Sequence, residues 1–123
     1  MVLKPVRWVA SSKQDLSVLP DAVRSDIGQA IYVAQRGDRH DDAKVLKGFS
    51  GAGVLEVIAR RHGDTFRAVY TVRFANAVYV LHVFQKKSKS GIATAKRDVD
   101  LVKSRLKLAE DDYIRWTSAG GGI

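Results

Sequence analysis

The chain has 123 residues, 46% of them hydrophobic and 28% charged, which suits one globular domain with a single real core and leaves no room for two. Cysteine is absent, which excludes a disulfide framework and a thiolate metal site, and His40, His62 and His82 stand too far apart for metal-ligand spacing, so no metal and no cofactor is expected. Met1-Val2-Leu3 runs straight into Lys4, Pro5 and Arg7 without the apolar stretch of a secretory signal, and no segment approaches the ~20 apolar residues of a membrane span, so a cytoplasmic location is expected.

In chain order, the β-rich run Val6–Ala10 predicts a short first strand. Ser12-Lys13-Gln14-Asp15 has the pattern of a capping box and opens a short helix through Leu16 and Leu19. Pro20 suits the first turn of a second helix, whose apolar stripe is Val23, Ile27, Ala30, Ile31 and Ala34. Residues 37–43 are polar and loop-like, and residues 44–53 are glycine-rich enough to be irregular. No Walker lysine–serine pair follows those glycines, so they do not make a phosphate loop. From Val54 the period changes to two. Residues 54–62, 65–75 and 78–86 predict three strands, separated by the two-residue turns Gly63-Asp64 and Asn76-Ala77. Residues 88–93 form a polar loop and Thr94 is a candidate N-cap. The last helix has Val99, Val102, Leu106, Ala109 and Tyr113 on one face. The order β-α-α-β-β-β-α predicts an α+β domain over residues 1–117, an antiparallel sheet with helices packed on it, and residues 118–123 read as a flexible tail.

The net charge of +8 is unevenly spread. Residues 44–97 set eleven cations against only Glu56 and Asp64, a net +9, whereas the rest of the chain balances ten cations against eleven acids. Charge segregated in this way is the electrostatic footprint of a site for a polyanion. With both turns taken as two-residue hairpins, opposite residues sum to 127 across the first pair of strands and to 153 across the second, which would place Arg60, Arg67 and Lys86 in one row. Three like charges side by side destabilise a sheet unless water or an anion separates them, and arginine binds phosphate through paired N–H bonds. The opposite face, with Leu55, Val57, Ala59, Phe66, Ala68, Tyr70, Val72, Phe74, Tyr79, Leu81 and Val83, would be the core side. Glu56, Thr71 and His82 would make a second row on the cationic face, which also carries Ile58, Val69 and Phe84.

Gly63-Asp64-Thr65-Phe66-Arg67-Ala68-Val69-Tyr70 resembles the strand signature of the RelE/ParE toxin superfamily, in which a glycine turn leads into aromatic-Arg-x-x-Tyr. Residues 80–89, ending Phe84-Gln85-Lys86-Lys87-Ser88-Lys89, and the following Ile92-Ala93-Thr94 are similar to its HigB-type, phage-derived branch. The resemblance implies a RelE-like fold and a toxin of a type II toxin–antitoxin system, acting as a ribosome-dependent mRNA endonuclease. In that reaction the ribose 2′-OH attacks the adjacent phosphorus and leaves a 2′,3′-cyclic phosphate, which requires a base, cations for the phosphorane and an acid for the leaving oxygen. Its implied partners are a HigA-like helix-turn-helix antitoxin, the ribosome and mRNA, with no membrane. By position, Arg67 matches the family's strand arginine, Arg60 its basic residue on the preceding strand, and Lys86 and Lys87 the basic pair ending the last strand. Arg73, Lys89 and Lys96 would contact the RNA backbone more peripherally. The tyrosine that some members carry after the last strand is replaced here by Gly91-Ile92-Ala93-Thr94, which leaves His82 as a candidate proton carrier and the general base open. A gyrase-directed toxin and a non-catalytic RNA-binding module are the alternative readings.

Overall fold

The computed structural model describes residues 2–49, 51, 53–86 and 93–122. Strand β1 (Val6–Trp8) is followed by helices α1 (Ser12–Ser17) and α2 (Asp21–Gln35). Strands β2 (Lys44–Val45), β3 (Val54–Arg61), β4 (Asp64–Thr71) and β5 (Val78–Lys86) come next, and helix α3 (Lys96–Ser118) closes the order. The five strands form one sheet in the order β1-β5-β4-β3-β2. The α+β architecture stands, with two additions. The two-residue β2 lies inside the segment expected to be irregular and pairs with Leu55 and Glu56, and β1 joins β5 in parallel, so the sheet is mixed. No helix among the described residues is long and apolar enough to cross a membrane.

The first hairpin turns one residue earlier than expected. Its two central residues are His62 (φ 51°) and Gly63 (φ 85°), the positive pair that a type I′ turn needs, and Arg61 pairs with Asp64. Opposite residues therefore sum to 125 rather than 127. A shift of two leaves every side chain on its expected face but changes its neighbour, so Arg67 faces Ile58 instead of Arg60. Across β4 and β5 the sum is 151 from Thr65↔Lys86 to Val69↔His82, and Arg67 faces Phe84 instead of Lys86. The expected row of three adjacent cations is thereby corrected.

A β-bulge corrects the core assignment as well. Val69 pairs with His82 but Tyr70 pairs with Val80, so Leu81 is the extra residue. Beyond it the alternation of β5 inverts. Val78 and Val80 join Val83, Phe66, Ala68 and Tyr70 in the core beneath α2, whereas Tyr79 and Leu81 join the core beneath α3. The first core is closed by Val23, Ile27, Ala30, Ile31 and Ala34, the stripe expected of α2. The second is closed by Val102, Leu106 and Ala109, with Val99 and Tyr113 at its margin. The sheet is thus covered on both faces, which explains why the cationic face also carries Ile58, Val69 and Phe84.

The helix starts differ in detail. Ser11, not Ser12, is the N-cap of α1, and the Oγ of the buried Ser12 donates to the Val80 carbonyl at 3.1 Å, tying α1 to β5. Pro20 is the N-cap of α2 with an extended ψ of 147°. Ala95 caps α3, which frees Thr94 for the contacts described below. Gly53 (φ 60°) is required where the chain enters β3, because a Cβ there would lie 3.2 Å from the Arg73 backbone nitrogen.

Candidate nucleic-acid interface

The α3 face of the sheet is built in three rows running across β3, β4 and β5. The outermost is Arg60–Thr65–Lys86, the next Ile58–Arg67–Phe84, and the third Glu56–Val69–His82. Helix α3 covers this face from the third row onward, so the outer row lies at the open end of the sheet. Arg60 is exposed there, and Thr65, Lys86, Ile58 and Phe84 are half-buried. The Lys86 Nζ donates to the Ala93 carbonyl at the segment leading into α3.

Arg67 occupies the middle of the second row and is only 2% exposed. Its Nη1 donates to Glu56 Oε1 at 2.9 Å and to Thr94 Oγ1 at 3.0 Å, and the Thr94 hydroxyl donates in turn to Glu56 Oε2. Glu56 is nearly as buried, so this is an ion pair drawn out of water whose charges each need the other. The structure thus brings Arg60 and Lys86 to one exposed edge and sets Arg67 one row behind them, bonded inward. Neither the Glu56 partnership nor the part played by Thr94 was foreseen. The available signal was Glu56 itself, a lone acid in a cationic stretch, two residues from the position that faces Arg67 on the same side of the sheet.

His82 is held at both ring nitrogens. Nε2 donates to Asp98 Oδ1 at 2.9 Å, and Nδ1 lies 3.5 Å from Arg105 Nη1, which also donates to the Leu81 carbonyl at 3.0 Å. A neutral ring with its proton on Nε2 satisfies both neighbours. Burial lowers the His82 pKa from its ordinary value; the hydrogen bond to Asp98 opposes that shift and the Arg105 charge adds to it. Arg105 Nη2 reaches Ser11 Oγ at 3.2 Å, so this chain of contacts joins α3, β5 and α1. The ring of His82 stacks on that of Phe84, with centroids 4.3 Å apart and planes at 13°.

The remaining cations expected at the site lie elsewhere or outside the described residues. Lys87 and Lys89 fall in the second group. Arg73 is exposed, bonded to Glu110 at 2.7 Å and set over the Phe74 ring, away from the three rows. Lys96 opens α3 and pairs with Asp100 four residues on at 2.8 Å. Glu110 and Asp112, near the end of α3, are part of how that helix docks. Asp112 receives Arg7 Nε at 2.7 Å, Arg7 Nη2 at 3.2 Å and the Tyr79 hydroxyl at 2.6 Å, and Arg7 also lies over the Trp116 ring. The Arg7 hydrogen bonds hold the Asp112 pKa below the usual carboxylate range, while burial, followed by the bond to Asp112, pushes the Tyr79 phenol up.

Comparison by structure finds the toxin RelE of Escherichia coli, solved in the free state as a double arginine-to-alanine mutant. It is similar with a TM-score of 0.57 and 14% identity over 85% of this chain and 96% of that one. The toxin–antitoxin complex RelBE2 of Mycobacterium tuberculosis contains a chain similar at a TM-score of 0.44 and 24% identity, over 72% of this chain and 97% of that one. The first likeness is one of fold, and the second is too loose to carry an argument. Comparison with curated proteins by sequence gives no match. Residues 14–107 match the family described as Phage derived protein Gp49-like (DUF891), well over half of the chain. With most of α1, the whole of α2 and of β2–β5 and the first half of α3 inside the match, the protein belongs to the Gp49-like phage-derived family.

Proposed function

We propose that this protein is the toxin of a type II toxin–antitoxin system, of the HigB type within the RelE superfamily, and that it cleaves mRNA on the ribosome. The observation that carries this reading is the row Arg60–Thr65–Lys86 at the open end of the α3 face, exposed at Arg60 and half-buried at Thr65 and Lys86, with Arg67 directly behind it. Two cations flanking a hydroxyl residue on a rigid sheet suit a phosphodiester backbone, and the RelE-like fold supports a phosphodiester-cleaving reaction. The 2′-oxygen attacks phosphorus, its proton passes to a base, the bond from phosphorus to the 5′-oxygen breaks, and that oxygen takes up a proton. Arg60 and Lys86 hold the charge on phosphorus during this exchange. Arg67 adds its charge from the row behind, with Nη1 committed to Glu56 and Thr94. Lys87 and Lys89 extend the same basic strip in sequence, and Arg73 and Lys96 are peripheral backbone contacts. His82 can carry a proton only by releasing Asp98 or Arg105. An antitoxin of the HigA helix-turn-helix type, acting in the cytoplasm, completes the system.

The test is to induce the wild type and the Arg60→Ala/Lys86→Ala double variant in a bacterial host and to map mRNA 5′ ends on translating ribosomes. New ends within codons for the wild type, lost in the double variant, are the expected result. Growth arrest with intact mRNA would redirect the reading to a protein target such as gyrase. Normal growth with intact mRNA would leave an RNA-binding module without catalysis.

A further inference from the structure

Phe84 differs from the other aromatic residues of β4 and β5. Phe66, Tyr70 and Tyr79 are buried, whereas Phe84 is half-buried and stands at the edge of the second core, in the row next to Arg60 and Lys86. Its partner in the stack, His82, is fixed at Nε2 by Asp98 and approached at Nδ1 by Arg105, so the pile of two rings is anchored from below. Lys86 lies two residues further along the same strand and therefore on the same face, and Arg60 lies two strands away, about 10 Å across the sheet. Ile58, also half-buried, completes an apolar floor on the far side of Arg67. An aromatic ring beside spaced cations matches the recurring design of single-strand binding, in which a base stacks on the ring and adjoining phosphates meet the cations.

We propose that Phe84 is a stacking platform for one unpaired nucleobase of single-stranded RNA, with Lys86 and Arg60 holding the phosphates on either side. This inference rests on the RNA reading above and adds to it the element that selects single strands, since a duplex keeps its base faces stacked. An acidic peptide would satisfy the cations but would gain nothing from the ring.

The experiment compares wild type, Phe84→Leu, Phe84→Trp and Arg60→Ala/Lys86→Ala by fluorescence anisotropy. The probes are a labelled ten-nucleotide oligoadenosine RNA, a duplex RNA of the same length, and a labelled oligoglutamate peptide. Thermal melting of each variant confirms folding. The expected result is that Phe84→Leu loses roughly 5- to 150-fold in affinity for the single strand, the range of one base–aromatic stack, with little change for the duplex. Phe84→Trp should retain wild-type affinity within about threefold, and the indole it introduces should be quenched by the single strand beyond the response of the wild type. Unchanged single-strand binding by Phe84→Leu, with loss in the double cation variant, would overturn the platform and leave the phosphate interface standing. Oligoglutamate bound as tightly as RNA, insensitive to Phe84→Leu, would overturn it in favour of an acidic protein partner. Absence of RNA binding by the wild type would overturn the platform together with the reading on which it rests.

Discussion

The two faces of the sheet are held by different forces. Beneath α2 the contacts are almost wholly aliphatic and aromatic, with Val23, Ile27, Ala30 and Ile31 packed on Val57, Phe66, Ala68 and Val80. Beneath α3 the apolar seam of Val102, Leu106 and Ala109 is flanked by polar fastenings. Arg67, Glu56 and Thr94 close one end, His82, Asp98 and Arg105 the adjoining part, and Arg7, Tyr79 and Asp112 the other end. An apolar interface gains its stability from area removed from water and tolerates graded changes. A buried ionic one is intolerant of losing a single partner, because the other is then left charged and dry. The lesson is that the α2 face behaves as the foundation of the fold. The α3 face carries groups whose electrostatics can be turned to function.

The largest effect expected from this contrast is at Arg67. Arg67→Ala should destabilise the fold by about 3–5 kcal/mol in urea denaturation, because Glu56 is left without its counter-charge. Arg67→Met combined with Glu56→Leu should recover most of that loss, as apolar residues of similar volume often replace a buried pair at little cost. A double variant no more stable than the single one would break the comparison, since the face would then depend on shape rather than charge. This expectation also bears on function: loss of activity in Arg67→Ala has to be judged against the folded fraction, which is why the functional test uses Arg60 and Lys86, both less buried than Arg67.

A smaller effect is expected at the far end of α3. Asp112→Ala leaves the buried Tyr79 hydroxyl without its acceptor and frees Arg7, and should cost about 1–3 kcal/mol, toward the low end because Arg7 and Asp112 are about one-third exposed. Tyr79→Phe in the Asp112→Ala background should restore part of it, and equilibrium unfolding of the four proteins of that cycle gives the coupling directly.

The smallest is a pH effect centred on His82, which faces Asp98 and Arg105 of α3 and feels the charge of Asp15 in α1. Its folded pKa lies below the ordinary value of about 6.5, so the unfolded chain takes up the proton first as pH falls. The contribution of neutral His82 is therefore complete above about pH 6.5 and is lost as pH falls through the folded pKa. Denaturation midpoints measured from pH 7.5 downward should fall less steeply for His82→Gln than for the wild type. Parallel curves would remove His82 from the polar fastening and leave Asp98 and Arg105 to be explained by each other.

Much of the fold was legible in the residues. The 3.6-residue stripes of α2 and α3 and the two-residue alternation from Val54 onward are local properties, fixed by where successive side chains point. The candidate site was legible only in part. Arg60 and Lys86 do share a row, but Thr65 stands between them where Arg67 was expected, and Arg67 is turned toward Glu56. Sequence placed the cations on the correct face because a register change of two preserves parity, and it missed their neighbours for the same reason.

By itself, then, the sequence determined the kinds of element, their order apart from the two-residue β2, the apolar stripes of the helices and the concentration of positive charge between residues 44 and 97. Tertiary structure decided three further things: that the hairpin turns at His62-Gly63, that Leu81 bulges, and that Thr94, in the segment leading into α3, meets Arg67 and Glu56. Gly63-Asp64 and His62-Gly63 are both sterically workable two-residue turns, and only the sum of cross-strand packing chooses between them. The bulge likewise has no local signature in Leu81; it is selected because it turns Tyr79 toward Asp112 and Val80 toward the core beneath α2, contacts that exist only once both helices are in place.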